Sequence, residues 1–222
     1  MTSMWTRYRV EWIFPLHKLC ASVPADPDIV KKWLEARQPA VRPPAAKTIN
    51  EIQEEVFATI AAGEAEVAPS LLVFQRDSGR LVMRAATVRA HIKEAARTLS
   101  VQHIGRIQGE RAFSTRVING VYEDPSQYWI PILRPNGDPV VSADGTLDKP
   151  VHVRGPRGEP LNALKTFEYV EPARMDFTLQ VLGKSVSRDD LEKLFEYGGT
   201  HGYGGERGDG QGRYTFRVEA AE

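Results

Sequence analysis

The sequence has few of the features that would place it at once in a familiar class of protein. It contains one cysteine, Cys20, which excludes an intramolecular disulfide and fits a reducing compartment. No apolar run approaches the roughly 20 residues that a membrane-spanning helix needs, and the first residues lack a signal-peptide pattern. We therefore expect a cytoplasmic protein with no membrane partner.

An excess of charge of either sign is also missing. The 29 Lys and Arg residues are balanced by 29 Asp and Glu residues, so the formal net charge is zero. This excludes a uniformly basic nucleic-acid binder, and any surface that binds a polyanion must be local. The 222 residues suffice for one elaborated domain or two small ones with a substantial core.

The common catalytic motifs are absent as well. The chain has no Gly-x-x-x-x-Gly-Lys-Ser/Thr loop and no Gly-x-Ser-x-Gly turn, and its five histidines do not have metal-ligand spacing. We therefore predict no catalytic residue, no bound metal and no cofactor.

The most informative stretch is a helix, a glycine-rich loop and a strand near the end of the chain. Ser187 is a good N-cap for an amphipathic helix that we expect to end at Gly198. Residues 198–212 contain eight glycines. Residues 213–218 then alternate, with Tyr214, Phe216 and Val218 on one face, which predicts a strand.

A loop so rich in glycine has two interpretations. It is either a mobile connection or a segment whose backbone N–H groups approach a phosphate or sugar closely, since glycine has no Cβ. His201, Tyr203, Arg207 and Arg213 lie in or beside the loop and would add charge and stacking.

Alternation and turn residues predict several further elements. Residues 7–14 read as a strand. A first helix is predicted to start near Pro27 and a second helix to span residues 48–62, and residues 71–74 and 80–83 are predicted to form a hairpin. Asn119-Gly120 and Asn136-Gly137 predict hairpin turns between short strands at residues 112–118, 128–133 and 140–141. Tyr128 and Trp129 are expected to pack within this region, with stacking on bases as the alternative.

A basic helix is predicted after Thr87, its expected N-cap. Val88, Ile92 and Leu99 form its buried stripe, and three cations recur at intervals of four residues on one exposed face: Arg89, Lys93 and Arg97. The basic bias extends from Arg84 to Arg116. This pattern fits either a solvated helix face or a phosphate-contact surface.

The order strand, helix, hairpins, strand, helix, loop, strand is that of a ferredoxin-like core with insertions. Three stretches resemble the RAMP superfamily of CRISPR effector complexes, and most closely its backbone subunit: residues 81–97, 167–177 and 198–214. They are similar, respectively, to the family's strand-turn-basic helix, to the segment entering its third core strand, and to its terminal glycine-rich loop.

The resemblance implies an α+β protein with a ferredoxin-like (RRM-like) core. It implies a single RAMP-like domain over residues 1–222, with a helical insertion at about 15–70 and a β-rich, thumb-like insertion at about 104–164. The implied function is sequence-independent binding of guide RNA, with or without a complementary target strand. The implied partners are further copies in a homo-oligomer or filament, and other effector-complex subunits.

The residues implied to contact RNA are cations of the basic region and residues of the glycine loop: Arg84, Arg89, Lys93, Arg97, His103, Arg106, Arg111, Gly202, Gly204, Gly205, Arg207, Gly210, Gly212 and Arg213.

Two alternatives stay open. One is a metal-independent RAMP endoribonuclease that processes guide precursors, for which His17, His103 and His201 are nominal acid–base candidates. The other is a non-enzymatic assembly protein of a phage or mobile element, which the neutral net charge favours.

Overall fold

The computed structural model describes residues 4–24, 70–102, 113–154 and 160–221. Its strands, in chain order, are β1 Trp5–Phe14, β2 Leu19–Cys20, β3 Val23–Pro24, β4 Ser70–Val73, β5 Gln75–Asp77, β6 Arg80–Arg84, β7 Val121–Glu123, β8 Trp129–Leu133, β9 Gly145–Arg154, β10 Pro160–Val170, β11 Ala173–Leu182 and β12 Thr215–Ala221. The helices of these ranges are α1 Ala85–Gln102, α2 Phe113–Gly120 and α3 Arg188–His201. The fold is therefore mixed α+β, as predicted.

The chain divides into two compact units. The first comprises Met1–Ala21, Phe74–Gly145 and Tyr169–Glu222, and the second comprises Ser22–Val73 and Thr146–Glu168. The helices predicted between residues 27 and 62 lie outside the described residues. A single domain with two insertions stays a prediction.

The first unit contains an antiparallel sheet with the strand order β12-β1-β11-β8-β6-β5, and β7 also pairs with β11. Strand β1 lies between β12 and β11, and its alternating pattern gives it one apolar face. Val10, Trp12 and Phe14 on that face are completely buried. Along β1, Val10 lies opposite Phe177 of β11 on one side and Val218 of β12 on the other.

Two helices cover the apolar face of this sheet. The Trp12 ring packs edge-on against His91 of α1 at 5.5 Å and against Phe195 of α3 at 5.7 Å between ring centres. Both helices therefore lie on the same side of β1. The N-terminus of α3 has the predicted Ser187 cap, completed by Asp190 in a capping box.

The opposite face of the sheet is polar. Arg174 of β11 contacts the carboxylates of Glu11 at 2.8 Å and Asp176 at 2.5 Å, while Arg217 of β12 lies 3.5 Å from Glu11. This alternation of apolar and charged faces is what places the helices on one side only.

The described part of the second unit contains strands β3 and β4 and most of β9 and β10. In it β4 runs parallel to β10, with Ser70 opposite Lys165, and antiparallel to β3, with Val73 opposite Val23. Strand β9 pairs with β10. Thr166 of β10 donates a hydrogen bond to Asp148 of β9 at 2.7 Å.

Several predicted boundaries were wrong for identifiable reasons. The strand expected before Asn119-Gly120 is the helix α2, because Phe113, Val117 and Gly120 are buried at helical spacing. Helix α3 continues past Gly198 to His201 and is capped by Gly202. The predicted hairpin forms around Ser78-Gly79, but its first strand is β5 and not residues 71–74. The Asn136-Gly137 turn is confirmed, since the Gly137 N–H donates to Arg134.

Candidate nucleic-acid interface

The predicted basic helix is α1, and it begins at Ala85, directly after β6. Its apolar stripe is buried as predicted, since Val88, Ile92 and Leu99 each expose at most 4% of their surface. Thr87 is not the N-cap. It lies in the first turn, where its hydroxyl donates to the carbonyl of Arg84 at 2.6 Å. The cations of α1 therefore lie on the sides of the helix that are not covered by the core.

Arg89 is half-buried and is used within the fold. Its Nε donates to the carbonyl of Val121 at 3.2 Å, and its Nη2 donates to the carbonyl of Ile118 at 3.3 Å. The guanidinium lies 4.1 Å from the centre of the Tyr122 ring, and Nε lies 3.6 Å from the Glu123 carboxylate. Arg89 therefore fastens α1 to the end of α2 and to β7, and much of its charge is compensated there.

Lys93 and Arg97 differ from Arg89 in their surroundings. Arg97 is exposed and Lys93 half-buried, and neither forms an ion pair with a described carboxylate. Burial, and then the nearby charge of Arg89, lower the pKa of Lys93. Ala86 and Ala90 are exposed on the same outward side of α1. We call Ala86, Ala90, Lys93 and Arg97 the outward face of α1.

An exposed cation and two aromatic rings lie at the beginning of this helix. Arg84 ends β6, and its guanidinium lies 5.2 Å from the centre of the Tyr128 ring, whose hydroxyl it also contacts. Tyr128 is 56% exposed and packs edge-on against Trp129 at 4.7 Å between ring centres. Tyr128 therefore packs against Trp129 as predicted, but more than half of the residue remains exposed.

The backbone of the glycine loop is hydrogen-bonded to other backbone segments of the same chain, which the sequence did not indicate. Its backbone N–H groups donate inside the protein: Gly202 to Gly198 at 2.8 Å, Gly205 to Cys20 at 2.9 Å, and Gly212 to Lys18 at 2.9 Å. These N–H groups are consequently not available to a phosphate. Glycine at positions 202, 205 and 212 therefore needs another explanation than N–H groups that donate to phosphate.

The glycines instead permit close contact between backbone segments. A Cβ at Gly212, whose φ is +70°, would overlap the carbonyl of Tyr203, and a Cβ at Gly204 would lie 2.6 Å from the carbonyl oxygen of Cys20. By contrast, a Cβ at Gly208 would meet nothing within 4 Å. The need for glycine therefore varies along the loop, and it is strongest at Gly212, where a Cβ would overlap another residue of the loop itself.

The loop contacts a side of α1 that lies away from Lys93. Arg207 donates to Glu94 at 2.7 Å, and His201 lies 3.4 Å from the same carboxylate. Partial burial would raise the pKa of Glu94, but the Arg207 hydrogen bond and charge outweigh it and keep that pKa below its ordinary value. Since residues two apart project about 200° from each other around a helix, His91 beneath the loop and Lys93 face different sides. The contacts that join the loop to α1 in the described residues are therefore to Glu94 and His91 and not to Lys93.

Two hydrogen-bonded pairs lie beneath the loop, of which the first is buried and the second partly buried. His91 Nε2 lies 3.0 Å from the Tyr214 hydroxyl, and the Tyr203 hydroxyl lies 2.5 Å from that of Thr87. Burial, and then the charge of Arg207, lower the pKa of His91 to about 4. His91 is consequently neutral at pH 7 and belongs to the core, not to a ligand site.

Arg213 and His17 line a different feature, an open groove of about 500 Å³ beside the end of α3. Phe195 and Phe216 contribute to its apolar lining, and Glu196 contributes a negative charge. The His201 ring stacks on the Tyr197 ring, with 5.6 Å between ring centres, and His201 does not line this groove. His103, Arg106 and Arg111 lie outside the described residues.

The described residues contain no cluster of three or more His, Cys, Asp or Glu that could hold a metal ion. Among them, no helix is both long enough and apolar enough to cross a membrane.

Ala86 and Ala90 lie on the outward face of α1 but were not among the residues predicted to contact RNA. Their spacing of four residues, in phase with Lys93 and Arg97, was the available signal.

Comparisons with known proteins add little. No protein-family model and no curated protein matches the chain. Among solved structures it is similar to a chain in the cryo-EM structure of the Type III-B Cmr-beta bound to cognate target RNA, with 9% identity and a TM-score of 0.48. The match covers 98% of this chain and 61% of that chain, so this chain spans less than two thirds of its neighbour.

Proposed function

We propose that the chain binds a single strand of RNA through its sugar-phosphate backbone, without sequence preference, as the backbone subunit of a CRISPR-type ribonucleoprotein complex. The three RAMP-like stretches support this assignment. The proposal includes a cytoplasmic location, partnership with other effector-complex subunits and assembly along the RNA. The strand would lie over the outward face of α1.

We further propose that the first unit is a ferredoxin-like core. Along the chain, β1, α1, β8, β11, α3 and β12 follow the order strand, helix, strand, strand, helix, strand. In the sheet the four strands have the order β12-β1-β11-β8, all antiparallel to their neighbours. This connectivity supports the ferredoxin-like assignment.

The observation that carries the RNA proposal is the character of the outward face of α1. Lys93 and Arg97 are about 6 Å apart along the helix axis and lack ion-pair partners among the described residues. Cations without partners attract phosphate without first breaking a salt bridge. Ala86 and Ala90 have short side chains, so a bound strand can approach this face of the helix closely. At one end of the face, Arg84 supplies a cation and Tyr128 an exposed ring.

Charge reversal tests this surface directly. Lys93→Glu combined with Arg97→Glu should weaken binding of a fluorescent single-stranded RNA by about tenfold or more at low salt, because two phosphate contacts are lost. The slope of log affinity against log salt should become shallower by about 1.4, since each contact to a single strand contributes about 0.7. Arg89 is excluded from the variant because it holds α2 and β7.

The matched control is Arg188→Glu combined with Lys193→Glu on α3, which changes the net charge equally. It should leave both affinity and slope near those of the unaltered protein. Equal losses in the two double variants would contradict binding at α1.

The same assay separates the alternatives. Cleavage of the RNA in the presence of a metal chelator would favour the endoribonuclease, with His17 and His201 as the first residues to substitute. Absence of RNA binding by the unaltered protein would favour the assembly protein.

A further inference from the structure

Strand β12 forms one edge of the sheet in the first unit. Strand β1 pairs with its inner side, and within the described residues no strand pairs with its outer side. Edge strands of soluble proteins are usually short or are protected by charged side chains, above all Lys, by Pro or by a bulge. Strand β12 has seven residues and contains no Lys, Pro or Gly. Its outer backbone N–H and C=O groups are therefore open to another strand.

The charges of β12 are arranged symmetrically about its middle residue. Val218 is the fourth of the seven residues and is buried on the helix-covered face. Arg217 precedes it and Glu219 follows it, and both are exposed on the polar face. The Arg217 side chain remains 72% exposed although it lies 3.5 Å from Glu11. Charges of one sign would repel a second copy of the same strand, whereas Arg217 and Glu219 form a self-complementary pair.

We propose that a second copy of this chain pairs with β12 in an antiparallel register centred on Val218, so that the two sheets become continuous. In this register Arg217 lies opposite the partner's Glu219, and Glu219 opposite the partner's Arg217. On the helix-covered face, the large Phe216 lies opposite the small Ala220 of the partner subunit. All seven residues of each strand are paired.

The neighbouring registers are less favourable. A shift of one residue would join the apolar face of one sheet to the polar face of the other, so that apolar side chains would lie beside charged ones. A shift of two residues in one direction opposes Arg217 to its own copy, and in the other direction opposes Glu219 to its own copy. Like charges directly opposite each other destabilise a strand pair. The register with the most backbone pairing is thus also the one with attractive charges.

This contact is isologous and therefore closes at two copies. It is separate from the outward face of α1 and does not depend on RNA binding. Assembly into a filament would need another, heterologous surface.

Complementary charge reversals test the register. The full chain should sediment as a dimer, with twice the monomer mass of 24.8 kDa. Arg217→Glu alone, or Glu219→Arg alone, should raise the dimer dissociation constant by about tenfold or more, because each creates two like-charge contacts. An equimolar mixture of the two variants should form a 1:1 dimer again, since every opposed pair is then attractive.

Arg188→Glu on α3 is the matched control and should dimerise normally, while circular dichroism checks the fold of every variant. Should a reversal at 217 or 219 unfold the protein, Thr215→Lys with Ala221→Lys replaces it, because that change opposes Lys to Lys at both ends. A monomeric unaltered protein up to about 200 µM would overturn the proposal. So would reversals that leave the dimer intact, or a mixture that stays monomeric.

Discussion

Replacing single glycines in the loop by alanine should produce a graded loss of stability that follows the backbone contacts. At Gly208, which lies in a 3-10 turn with open space around the missing Cβ, alanine should stabilise the fold by roughly 0.4–1 kcal/mol by restricting the unfolded chain. At Gly210, φ is +77° but the nearest atom to a Cβ is 3.6 Å away. There the left-handed conformation alone should cost about 1–2 kcal/mol before that gain is subtracted.

Alanine at Gly212 should have a much larger effect. The left-handed φ again costs about 1–2 kcal/mol, and the added Cβ overlaps the Tyr203 carbonyl. Relief of that overlap would stretch two backbone hydrogen bonds, from Gly212 to Lys18 and from Tyr203 to Gly212, each worth about 1 kcal/mol. We expect a total loss of about 3 kcal/mol or more, a large part of the about 5–15 kcal/mol that stabilises a typical domain.

Urea unfolding followed by circular dichroism measures all three variants, and RNA binding measured on the same samples separates structure from recognition. Gly208→Ala should bind RNA as the unaltered protein does. If Gly208→Ala bound RNA much more weakly while remaining stable, or if Gly212→Ala were as stable as Gly208→Ala, the structural explanation of the loop would be refuted.

Three further predictions concern the stability of the fold. The pKa of His91 is lowered from 6.5 to about 4, because the folded state prefers the neutral imidazole. The contribution of neutral His91 to the free energy of unfolding is therefore fully present above pH 6.5. It is lost between pH 6.5 and pH 4, and the loss amounts to roughly 3 kcal/mol. Urea titrations at both pH values should show that this part of the loss disappears in His91→Gln. Tyr203→Phe should cost about 1 kcal/mol by removing its hydrogen bond with Thr87, whereas the exposed Tyr128→Phe should cost less than about half as much in the same assay. Arg89→Met should cost about 2–3 kcal/mol by leaving two carbonyls without their donor, but Arg97→Met should stay within about 0.5 kcal/mol; equal thermal shifts would contradict this.

Local periodicity predicted the parts of the fold that depend on burial of one face. The alternation around Val10 and Trp12 identified β1, and the spacing of Val88, Ile92 and Leu99 identified α1. In both cases a single contiguous segment carries the signal, and its burial follows from the hydrophobic effect alone.

Long-range contacts explain what the sequence did not predict. Nothing near Arg89 in the sequence indicates that Ile118 and Val121 accept its hydrogen bonds. Likewise, the need for glycine at position 204 is explained by the backbone carbonyl of Cys20, which lies far earlier in the chain. Asn119-Gly120 was interpreted as a hairpin turn because its local preference is strong, but the tertiary packing of Phe113 and Val117 makes the segment a helix.

Cross-linking of a 4-thiouridine-substituted RNA to the full chain, with the modified peptides located by mass spectrometry, tests most directly whether the strand lies over the outward face of α1. We predict cross-links to Tyr128 or Trp129 and to peptides of α1. Cross-links confined to the glycine loop, or to the polar face of the sheet around Arg174, would contradict the proposal.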